Sequence, residues 1–106
     1  MSQEKSFDVV FEVDAVAVGK MRNEVEVVWG RGTSEEMHFD IATDEGAFHG
    51  GDASAPPPLA YFSAALAGCL MTQIRAFSKR MRIPVSDLRV KGSMSWRRTQ
   101  TGRDPY

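Results

Sequence analysis

Cys69 is the one cysteine among the 106 residues, and it is the side chain with the most chemistry to offer. A lone thiol closes no internal disulfide and is too few ligands for a Cys-based zinc finger, so a disulfide-stapled secreted scaffold and a zinc module are excluded. What remains is nucleophilic chemistry, in which the thiolate is the reactive form. An ordinary thiol with a pKa near 8.5 is only about 3% ionised at pH 7, and bringing that value to about 6 takes roughly 3.4 kcal/mol of anion stabilisation. One arginine with hydrogen bonds supplies that much. Cys69 lies about three turns beyond the opening of a predicted helix at Pro58, outside the first-turn reach of the helix dipole, so the cation must come from elsewhere. Lys20 and Arg22 in one turn, and Arg31 in another, are the candidates, each of which reads alternatively as a solvated turn charge. The alternative for Cys69 itself is a small buried hydrophobe.

The other chemistry-bearing residues form no site. His38 falls at an outward-facing strand position and His49 in a glycine-rich loop, and with Cys69 they make no ligand spacing, so no metal is expected. The Gly30-Arg31-Gly32 turn lacks the third glycine and the following helix of a dinucleotide fingerprint, so no nucleotide cofactor is expected either. Aromatic and basic residues adjoin only at Trp96-Arg97-Arg98, a weak signal for a nucleic-acid platform, since strand tryptophans mostly pack.

Three strands are expected to lead to the helix. Phe7, Val9, Phe11, Val13, Ala15 and Ala17 recur at every second position over 7–18 with Asp8, Glu12 and Asp14 between them, the period of a half-buried strand. Gly19 to Asn23 is turn chemistry, and the alternation resumes in Glu24-Val25-Glu26-Val27-Val28-Trp29, so the two runs form a hairpin. A second turn over 30–34 leads to Met37, Phe39 and Ile41, completing an antiparallel meander with one wet acidic face. Residues 44–58 are a loop by composition, closed by Pro56-Pro57-Pro58, and Pro58 fits the first helical position. The helix then runs to about Met81 before Ile83-Pro84 stops it. Residues 59–74 carry no charge, but sixteen residues containing Ser63, Thr72 and Gln73 fall short of the ~20 that a bilayer needs. A buried helix, packed on every side, is therefore expected. Beyond Pro84, the alternation of Leu88, Val90, Gly92, Met94 and Trp96 with polar residues predicts a fourth strand. The fold class is α+β.

Net charge is −1, yet the halves disagree: residues 1–52 hold twelve acids and four bases, residues 53–106 two acids and nine bases. Arg75, Lys79, Arg80 and Arg82 explain much of the basic half, because cations complement the negative end of a helix. Two halves, or two subunits, that attract one another fit the asymmetry as well as a nucleic-acid surface does. The N-terminus has neither a basic segment nor an apolar one, so export is not expected and a reducing cytoplasm is the default. So short a chain exposes much surface for its core volume, and a core shared in a dimer is expected.

The segment from Gly50 to Thr72, with its proline at the helix start, its run Ala64-Ala65-Leu66-Ala67-Gly68 and Cys69, resembles the OsmC/Ohr family of osmotically inducible and organic hydroperoxide resistance proteins. The segment Lys79-Arg80-Met81-Arg82-Ile83-Pro84-Val85 and the acidic meander are similar too. The resemblance implies a single OsmC-like domain over 1–106, an intertwined α+β homodimer with the site at the subunit interface, and thiol-dependent reduction of organic hydroperoxides by an external thiol or dithiol. Cys69 matches the peroxide-attacking cysteine, and Arg22, with Lys20 as the near alternative, matches the arginine of the first hairpin. Two positions depart from the pattern. Leu59 and Ala60 follow Pro58 where many members have a glutamate that holds the arginine, and the chain ends before the C-terminal helix that carries a resolving cysteine. The competing readings are a non-catalytic member of the family that binds a small hydrophobic molecule and, less favoured, a basic nucleic-acid-binding module.

Overall fold

The computed structural model describes residues 8–97. They form two compact units that divide between Pro57 and Pro58, the first a sheet with a long loop and the second a helix with an extended return segment. The α+β class expected from the sequence is what the structure has.

The first unit holds three antiparallel strands in chain order: β1 (Phe11–Ala17), β2 (Asn23–Trp29) and β3 (Met37–Thr43). Because side chains alternate across a sheet, the register decides which rows form. Val13, Val27 and Phe39 make one cross-strand row, and Ala15, Val25 and Ile41 the next. On the same face Phe11 stacks on Trp29 with ring centroids 5.9 Å apart. The opposite face carries the row Asp14, Glu26 and Asp40, as the acidic alternation requires. Val28 is the fully buried hydrophobe among the described residues, at 2% exposure, and it lies on this acidic face between Glu12 and His38. The apolar face is open instead, with Val13 69% and Phe39 42% exposed. The half-buried first strand of the sequence reading is thus exposed along its whole length in the single chain.

The hairpin turn between β1 and β2 is closed by the Val18 amide donating to the Arg22 carbonyl at 2.9 Å. After β3 the chain enters a long loop that contains one short 3-10 turn, Ala47–His49, ended by Gly50 at φ +83°.

In the second unit, helix α1 spans Pro58–Arg80. It starts at proline, whose missing N–H is unneeded there, and ends where Arg82 turns left-handed at φ +57°. The Ile83 amide reaches back to the Ser78 carbonyl at 2.8 Å and the Arg82 amide to Lys79 at 3.2 Å, the paired bonds of a Schellman closure. Pro84 then prevents the helix from resuming. No residue of α1 is buried in the single chain, which corrects the expectation of a helix covered on all sides. The uncharged run over 59–74 reports what the helix is built to be covered by, and one copy of the chain does not cover it. The fourth strand is also corrected: residues 88–97 carry no sheet ladder. Alternation describes a segment able to pair, but a strand exists only where another strand takes its N–H and C=O groups, and this one has none among the described residues. Instead it runs beside the helix, with Trp96 edge-on to Phe62 at 6.3 Å between centroids. No helix among the described residues is long and apolar enough to cross a membrane.

Candidate functional site

Arg22 leaves the hairpin turn at the first residue before β2, and its guanidinium is held at two of its edges. Nε donates to Glu24 Oε1 at 3.2 Å. Nη1 donates to the Ser54 carbonyl at 3.1 Å and to Ser54 Oγ at 2.9 Å. Behind Ser54 stands Asp44, 1% exposed, at the end of β3. Its Oδ2 accepts from Ser54 Oγ at 2.5 Å and from the Ser54 amide at 2.9 Å, and its Oδ1 accepts from the Glu45 amide at 2.8 Å. A buried carboxylate is tolerated only when donors surround it, and these donors hold the Asp44 carboxyl at about 2, from an ordinary 3.8, with the Ser54 hydroxyl the largest cause.

The loop that brings Ser54 to Asp44 has no slack. Gly51 passes so close to Glu45 and Asp44 that a Cβ there would overlap the Glu45 carbonyl oxygen. Ala53 takes the left-handed conformation, φ +52°, while its amide donates to the Glu45 carbonyl at 2.9 Å. That kink sets the Ser54 amide and hydroxyl on the same carboxylate oxygen.

Of the three candidate cations, Arg22 is the one held in place. Lys20 reaches Asp52 only at 3.9 Å with its side chain 76% exposed, and Arg31 is committed to Glu12 at 3.1 Å on the acidic side of the sheet. The His38 ring donates from Nε2 to Glu36 Oε2 at 2.8 Å, since an ionised carboxylate can only accept. That contact, with the Gly32 amide at 2.7 Å, lowers the Glu36 pKa below its ordinary range. Among the described residues no group of three or more His, Cys, Asp or Glu side chains could hold a metal ion.

Cys69 belongs to the second unit and is an exposed free thiol on α1. Beside the helix, Ser63, Ala64, Leu66, Ala67 and Leu70 line a largely apolar cavity of about 390 Å³ with Val90, Lys91, Gly92 and Met94 of the return segment. Cys69 is not part of that lining. At 3.6 residues per turn it projects about a third of a turn away from Ser63 and Leu70 and nearly half a turn from Ala67. The thiol and the cation lie in separate units of the chain.

The sequence profile of the OsmC-like protein family matches residues 50–104, from the glycine pair of the long loop through Cys69 to the segment beyond Trp96. The chain belongs to the OsmC-like family. An OsmC-like hydroperoxide resistance protein of known structure, from Jannaschia sp. CCS1, is 55% identical over 70% of this chain and 44% of its own, with a TM-score of 0.33. The present chain thus spans less than half the length of that protein. Comparison with curated proteins gives no match.

Within this OsmC-like chain, reading the residues brought out Cys69 and Arg22 but missed Ser54 and Asp44. Nothing in their spacing marks them, since Ser54 stands 32 residues from Arg22. The available signal is indirect: with Leu59 in the place of the expected glutamate, the arginine needs another holder.

Proposed function

We propose that this chain reduces organic hydroperoxides through Cys69. Membership of the OsmC-like family, with Cys69 inside the matched segment, is the observation that carries the reading. The Cys69 thiolate attacks one oxygen of the peroxide, the O–O bond breaks, and the alkoxide leaves as an alcohol after taking a proton. The sulfur, now oxidised, is a sulfenic acid. An external thiol condenses with that sulfenic acid, releasing water, and a second thiol frees Cys69 as the external pair becomes a disulfide. Arg22, from the partner copy of the chain in a homodimer, stabilises the thiolate. The held guanidinium supports this role, because Nε and Nη1 are engaged and Nη2 is, among the described residues, the edge left for an anion.

A homodimer in a reducing cytoplasm completes the proposal. The open apolar face of the sheet and the uncovered helix, with its uncharged run over 59–74, support a covering subunit, since apolar patches of this extent rarely face water. Cumene hydroperoxide turnover with dithiothreitol tests the activity: the parent protein consumes peroxide over many cycles and Cys69→Ser does not. Equal rates for the two would end the proposal.

The apolar cavity beside α1 favours one alternative, a non-catalytic OsmC-like protein that binds a small hydrophobic molecule. That protein would show saturable binding of an apolar dye, displaced by ligand, and no turnover.

A further inference from the structure

The arginine proposed to ionise Cys69 is held at Nη1 by a serine and at Nε by the Glu24 carboxylate, while Leu59 stands where the family pattern has a glutamate. We propose that Ser54, backed by the buried carboxylate of Asp44, is the positioning residue for Arg22 and does the work that Leu59 cannot. The inference rests on the reading of Arg22 as the activating cation.

The hydrogen-bond directions allow one arrangement only. A guanidinium has donors and no acceptor, so Ser54 Oγ must accept from Arg22, and its single proton must then go to Asp44 Oδ2. The hydroxyl is thus oriented from both sides, and a chain of bonds runs from guanidinium through hydroxyl to carboxylate. The Ser54 carbonyl takes a second bond from the same Nη1, so the main chain and side chain of one residue grip one nitrogen. Asp44 is unable to swing away, because it is buried and also binds the amides of Glu45 and Ser54. Bonds in such a chain polarise one another, which strengthens the grip on Arg22.

The chemistry of the holder matters as well. Ser54 meets the arginine with a neutral hydroxyl and a neutral carbonyl, and the negative charge of Asp44 stands one residue further back. A second carboxylate in direct contact, besides Glu24 at Nε, would cancel more of the positive potential at the free edge. At Nη1 the grip is neutral, so it fixes the geometry and adds no contact charge to the one that Glu24 already places on Nε.

The test is the alkylation rate of Cys69 by iodoacetamide, followed on the full chain from about pH 5 to pH 10, since only the thiolate reacts. Arg22→Ala is expected to move the profile to higher pH and to slow the reaction about 30-fold at pH 7, the ratio between full and about 3% ionisation. Ser54→Val is expected to move it the same way by a smaller amount, about three- to tenfold at pH 7. Ser54→Thr, matched to valine in shape but keeping the hydroxyl, is expected to stay within about twofold of the parent. All variants converge at the alkaline end, where every thiol is ionised, so general damage to the fold is told apart from loss of positioning. If Arg22→Ala shifts the profile while valine and threonine at position 54 both overlay the parent, the clamp is refuted and the role of Arg22 stands. If Arg22→Ala overlays the parent, that role and the clamp fall together.

Discussion

Gly51→Ala perturbs the loop that seats Arg22 without touching either proposed site residue. A Cβ on Gly51 would overlap the Glu45 carbonyl oxygen and lie 2.5 Å from its carbon and 2.8 Å from Asp44 Oδ1. Carbon contacts are comfortable at about 3.5–4 Å, so the backbone has to give by about 1 Å. Three hydrogen bonds cross the moving part: Gly51 amide to Gly46 carbonyl at 3.0 Å, Ala53 amide to Glu45 carbonyl at 2.9 Å, and Ser54 amide to Asp44 Oδ2 at 2.9 Å. At about 1 kcal/mol net for each of the two backbone bonds and about 2 for the one to the Asp44 carboxylate, their weakening costs about 2–4 kcal/mol. Gly50→Ala is the control. Its neighbour's crowding is absent, with nothing within 4 Å, and only the left-handed φ of +83° is disfavoured, at about 1 kcal/mol. Urea unfolding at fixed protein concentration, with hydrogen exchange at the Ala53 and Ser54 amides, measures both. Gly51→Ala should lower the midpoint by about 1–2 M, given a slope of about 2 kcal/mol/M, and strip protection from those two amides. A cost no larger than that of Gly50→Ala, with the amides still protected, would refute the packed loop.

Three further outcomes are expected. The Asp44 carboxyl is held at about 2 against an ordinary 3.8, so the unfolded chain binds this proton first and stability is lost as pH falls through that window. Asp44→Asn should remove that part of an acid titration followed by circular dichroism, and an unchanged slope would contradict the assignment. Arg82→Gly should stabilise the protein by about 0.5–1 kcal/mol, because glycine takes the left-handed helix end without strain, and a lowered melting temperature would show the Schellman closure to be misread. A double-mutant cycle on Phe62 and Trp96 should return a coupling of about 0.5–1.5 kcal/mol from their edge contact, and zero coupling would place Trp96 elsewhere.

What could be read from the chain depended on how local the cause was. The meander, the turn at 19–23 and the helix opening at Pro58 follow from alternation, glycine and proline, which act over a few residues, and all three stand in the structure. The helix end was legible for the same reason, although the left-handed Arg82 that forms it was not. The fourth strand failed because pairing is not a local property: Val90, Met94 and Trp96 alternate as a strand would, but alternation cannot supply the partner. Burial of the helix failed for a similar reason, since the small apolar run Ala64 to Gly68 encodes a cover that a single copy does not provide. At the site, Cys69 and Arg22 stood out by residue type, whereas Ser54 and Asp44 are ordinary loop residues until a kink at Ala53 joins them.

The most direct measurement is the intact mass of the protein after one equivalent of cumene hydroperoxide, with a sulfenic-acid trap such as dimedone present. The adduct should form on Cys69 with one molecule of cumyl alcohol released for each, and neither should appear with Cys69→Ser. Release of the alcohol at the parent rate by Cys69→Ser, or an untouched Cys69 in the parent, would contradict a peroxidase centred on this thiol.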